Sequence, residues 1–132
     1  MYQSTTQGPL QHYSWSDFDS DARATRRHLR SHYPAPATLS AEQADYLADA
    51  ADVFADVAQD QAARAAAATS AREALTAGRQ ASTAAARAAT IAVAMKGRWP
   101  DPHPADRARK AAGRAVAAFH AAEMHCDRWR RA

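Results

Sequence analysis

The sequence predicts an all-α protein, an antiparallel helical bundle built on one very long alanine-rich central helix, and three observations predict it. From Ser40 to Lys96 the chain runs 57 residues with no proline and a single glycine, Gly78, so nothing in the stretch forces a helix to stop. Alanine, the best intrinsic helix former, fills 17 of the 33 positions from Ala62 to Ala94. Every segment with a hydrophobic period has one near 3.6 residues, and no alternating run marks a strand. The 132 residues divide into a mobile polar tail, 1–13, and a single all-helical domain, 14–132, with helices at about 14–33, 40–96 and 105–131.

The tail carries Gly8 and Pro9 and has no helical period. In the first helix Trp15, Phe18, Ala22, Thr25, Leu29 and Tyr33 recur every three or four residues and form one apolar stripe. Asp17, Asp19 and Asp21 near its start and Arg26, Arg27 and Arg30 near its end follow the polarity a helix dipole favours. The short link 34–39 makes the first helix an antiparallel neighbour of the next. There Glu42, Asp45, Asp49, Asp52, Asp56 and Asp60 are expected to face the basic end of the first helix. Tyr46, Leu47, Val53, Phe54 and Val57 are expected to form the best-packed core against it.

The central helix opens at a capping box, Ser40 to Gln43. Gly97 is placed as its left-handed cap, with Pro100, Pro102 and Pro104 beyond. Unbroken, it would be about 85 Å long at about 1.5 Å per residue. We read it as unbroken or gently bent. The alternative is a break at Thr69 and Ser70, where Ser70 to Glu73 spells a second capping box and would give four helices. Its distal half offers a small-residue seam, Ala67, Ala71, Ala74, Gly78, Ala81, Ala85, Ala88 and Ala92, at a spacing that permits close helix approach. The last helix carries an apolar stripe of Ala105, Ala108, Ala112, Ala115, Val116, Phe119, Ala122, Cys126 and Trp129. Folding about the 97–104 connection sets Glu123 beside Gly78 and Arg79.

Composition limits the core. There are 38 alanines, whereas Leu, Ile, Val and Phe together number 13. Burying a methyl group gains only about 0.8 kcal/mol, so an alanine seam needs a long, close interface, and this points to self-association or a protein partner. The net charge of +3 is too small to suggest disorder. Fifteen arginines against two lysines, beside the alanine load, match the codon bias of a GC-rich genome and argue only weakly for nucleic acid. One cysteine excludes an intramolecular disulfide and any cysteine-rich metal site. With no signal peptide and no apolar run long enough for a membrane span, the expected compartment is the cytoplasm.

No residue pattern names a reaction, and no cofactor or metal is expected. His28 and His32 have chelating spacing, but no carboxylate or cysteine nearby completes a ligand set. Glu123 lies in the apolar stripe between His120 and Asp127, where an ion pair to Arg79 or to a partner subunit is the simplest reading and a catalytic acid the sharper one. Cys126 reads as a small core residue. The pairs Arg114–His120 and Arg23–His28 resemble the loose Arg-x(4–6)-His pattern of the HEPN ribonucleases, small all-helical proteins that dimerise. That resemblance covers the two pairs and the fold class, and it implies roles for Arg114 and His120 in RNA cleavage at a dimer interface.

The expected function is a non-enzymatic helical interaction or assembly module, acting as an oligomer or as a small subunit of a larger complex. Its contact residues would be Trp99 and Arg98 at the connection, with Ala74, Gly78, Ala81 and Ala85 along the seam. The alternative is a nucleic-acid-binding accessory protein. It would use Arg107, Lys110, Arg114 and Arg128 on the solvent side of the last helix, extended by Arg130 and Arg131.

Overall fold

Two serines open the two central helices. The computed structural model describes residues 22–33, 38–98 and 102–131. These form α1 (Ala22–His32), α2 (Ala41–Ala67), α3 (Ala71–Met95) and α4 (His103–Arg130), with no strand among the described residues. Trp15, Phe18, Trp99 and the 1–13 tail lie outside them. At Ser40 the capping box is complete: the hydroxyl accepts from the Gln43 amide at 3.1 Å, and the Gln43 side chain accepts from the Ser40 amide at 2.9 Å.

The long helix is broken, so the unbroken reading is corrected. Ala68 and Ser70 both take extended backbone conformations, and the Ser70 hydroxyl accepts from the Glu73 amide at 3.1 Å. The second box is modified, because the Glu73 carboxylate accepts from the Thr69 hydroxyl at 3.3 Å. The physical reason for the break is burial. A rod of about 85 Å would leave Leu47, Phe54 and Val57 uncovered, whereas folding back buries all three. Thr69 and Ser70 make the stop inexpensive, since their hydroxyls replace lost backbone bonds. Ser70→Ala is expected to cost about 1 kcal/mol, read as a lower melting temperature.

The fold-back makes α2 and α3 antiparallel, and the Leu39 amide donates to the Arg98 carbonyl at 2.8 Å to tie the start of α2 to the end of α3. Gly97, at φ +71°, provides the left-handed turn there, as its position after the helix predicts. Helix α4 then returns along α3 in the expected register, with Cys126 and Glu123 beside Gly78. Helices α2, α3 and α4 pack against one another, and α1 packs on α3. The expected docking of α1 on the acidic start of α2 is therefore corrected.

The main core joins Leu29 of α1 and Tyr33 just beyond it, Leu39, the Leu47–Phe54–Val57 side of α2, Ile91 and Met95 of α3, and alanines of α4. Elsewhere the bundle is held by alanines in close approach, among them Ala65, Ala77, Ala81 and Ala122. The buried face of α4 is Ala108, Ala111, Ala115, Ala118, Ala122 and Cys126. Val116 is exposed, and Phe119 and Trp129 are only half-buried. The stripe expected for α4 is thus rotated, because small side chains must occupy the line of closest approach and larger ones are displaced to its flanks.

Candidate protein-interaction groove

Helix α1 lies against the C-terminal half of α3, and the two enclose an open groove of about 700 Å³. Leu29 and Tyr33 line one side, and Ala86, Ala89, Thr90, Val93 and Ala94 line the other. The Thr90 hydroxyl donates to the Ala86 carbonyl at 2.7 Å, so this residue has spent its polar group on its own helix. Val93 is 76 % exposed, the most exposed of the large apolar side chains among the described residues. Arg26, Arg30, Lys96 and Arg98 surround this apolar surface, and no carboxylate is among the described lining residues.

Arg98, expected as a contact residue, has structural duties. Its guanidinium donates to the Tyr33 carbonyl at 2.7 Å and to the Ala94 carbonyl at 3.4 Å, linking the ends of α1 and α3. Burial, with Tyr46 nearby, pushes the Tyr33 phenol up to about 12, so it stays protonated. The seam residues Ala74, Gly78, Ala81 and Ala85 are buried within the chain. The small-residue surface that suggested self-association is thus this chain's own helix contact. The Cys126 thiol donates to the Ala74 carbonyl at 3.1 Å, and burial pushes its pKa up, so it is a packing group rather than a nucleophile.

The basic face of α4 is largely neutralised. Arg107 pairs with Asp49, with Asp52 at 3.1 Å and with Asp45 at 4.0 Å. Arg114 pairs with Asp52 at 3.2 Å and Asp56 at 3.3 Å, and donates to Gln59 at 2.9 Å. Hydrogen bonding to Asp49 and Asp52 raises the Arg107 pKa further. The expectation that both arginines stand on the solvent side is corrected: they face α2 and hold the acidic stripe that was expected to meet α1. Arg130 bridges Glu123 and Asp127, each at 3.1 Å, so Glu123 is paired within α4 and not with Arg79. Lys110, Arg128 and Arg131 remain exposed. These pairs are solvent-exposed, so Arg107→Gln is expected to cost only about 0.5–1 kcal/mol, and the difference from the parent in thermal melting should shrink at high salt.

Arg114 and His120 do not form a joint site. The arginine is committed to α2, and His120 is exposed with its ring 5.7 Å from that of Phe119. His28 and His32 lie close, with ring centroids 4.2 Å apart, and no group of three metal-ligating side chains occurs among the described residues. Sequence reasoning missed Arg87, which is 2 % exposed with its guanidinium 5.7 Å from the centre of the Phe54 ring. The signal was available: Ala84, Arg87, Ala88 and Ile91 share one helical stripe. No described helix is long and apolar enough to cross a membrane. No family model, curated protein or solved structure matches the chain.

Proposed function

We propose that the chain is a non-enzymatic helical interaction module whose α1–α3 groove receives a segment of a protein partner, making it a small subunit of a larger complex. The observation that carries this reading is the groove itself: an apolar floor, an outward-facing Val93 and a rim of cations with no carboxylate among the described lining residues. An exposed apolar side chain beside a concavity, here Val93, favours burial by a partner, because its contact with water is lost on binding. The nucleic-acid reading has weaker support, since Arg107 and Arg114 already have carboxylate partners.

The test compares two variants in the native complex. Val93→Asp changes an exposed residue, so it should leave the stability within about 0.5 kcal/mol of the parent while dispersing the complex. Changing Lys110, Arg114 and Arg128 together to glutamine should leave the complex assembled. The opposite ranking, with steep salt sensitivity, would favour nucleic acid.

A further inference from the structure

Resting on the groove reading, we infer that the occupant is an acidic amphipathic helix of a partner protein. The groove supplies two independent specifications. The first is shape. Ala86, Ala89, Thr90, Val93 and Ala94 lie on one face of α3 and span about 12 Å at about 1.5 Å per residue, two helical turns. Three alanines in that face permit close backbone approach, and Val93 is a single protruding knob. This is the relief into which another helix packs, with apolar anchors at i, i+3 or i+4, and i+7.

The second specification is charge. Arg26 and Arg30 stand exposed on the α1 wall and Lys96 at the end of α3. Among the described residues none of the three is ion-paired, whereas Arg107 and Arg114 on the far side of the bundle hold the carboxylates of α2. Positive charge on both walls of an apolar floor selects a ligand with apolar anchors flanked by carboxylates. A phosphate backbone would satisfy the cations but leave the exposed Val93 without an apolar partner. Among the described residues, the acidic stripe of a second copy, Asp45, Asp49, Asp52 and Asp56, is already engaged by that copy's own α4.

The test uses the full chain and three labelled helical peptides of about 14 residues. One carries leucine at helical anchor spacing among glutamates. The second replaces glutamate with lysine, and the third replaces leucine with serine. Fluorescence anisotropy should show saturable binding of the first, with the other two weaker by about tenfold or more. Arg26→Glu combined with Arg30→Glu, and separately Val93→Asp, should each weaken the first peptide by a similar factor, with circular dichroism unchanged. Equal binding of the serine or lysine peptide, or indifference to the groove variants, would overturn the inference. So would a sedimentation mass showing a dimer that Val93→Asp dissociates, since the occupant would then be a second copy. If no acidic peptide binds but Val93→Asp still disperses the native complex, the acidic-helix inference falls and the groove reading stands. If that complex survives Val93→Asp, both fall.

Discussion

Gly78→Leu is expected to be the most damaging single change in the bundle, costing roughly 1–3 kcal/mol or more through overpacking. A Cβ at residue 78 would lie 2.6 Å from the Cys126 sulfur and 3.7 Å from a Glu123 carboxylate oxygen. The sulfur is held by its hydrogen bond to the Ala74 carbonyl, so relief requires α3 and α4 to separate. Gly78→Ala should be milder, because the gain in helix propensity, up to about 1 kcal/mol, offsets part of the clash. Cys126→Ala removes the obstructing atom, and the double variant with Gly78→Ala should be more stable than the sum of the single effects. Thermal melting of the four proteins measures this coupling. An unchanged melting temperature for Gly78→Leu would place this face of α3 in solvent.

The second large effect is a loss of stability on mild acidification. Burial, reinforced by the charge of His32, lowers the His28 pKa from 6.5 to about 4. The unfolded chain therefore binds a proton between those values that the folded chain excludes. Stability is full above pH 6.5 and falls as pH drops towards 4, by about 2 kcal/mol at pH 5 if one pKa unit is about 1.4 kcal/mol. His28 is on the helix that forms one wall of the groove, so acid should loosen α1 first. His28→Leu should flatten the melting-temperature profile between pH 6.5 and 5, before most carboxylates protonate. A parallel profile in parent and variant would assign the acid sensitivity to other groups.

The ends of the helices were legible because local chemistry determines them. The Ser40 hydroxyl and Gly97 act through neighbouring backbone alone. The break at Thr69 and Ser70 was visible only as an alternative, since alanine propensity favours continuation and the deciding term is burial of the α2 stripe by elements distant in sequence. The partner of the acidic stripe was misassigned to α1. Yet Asp45, Asp49, Asp52 and Asp56 recur at four, three and four residues, and Arg107 and Arg114 are seven apart. Those spacings place each set on one helix face, where the structure joins them. The seam was correctly read as a close contact, but composition does not specify whether such a surface meets its own chain or another. The groove was not legible, because its two walls come from α1 and α3 and the sequence leaves their neighbourhood open.

The most direct test of the groove as the interaction surface is hydroxyl-radical footprinting of the chain alone and in its native complex. Two exposed apolar side chains serve as internal reporters: Val93 in the groove, 76 % exposed, and Met124 on α4, 71 % exposed. Loss of labelling at Val93 with Met124 unchanged is the predicted result. Protection of Met124 while Val93 remains reactive would contradict it and assign binding to the outer face of α4.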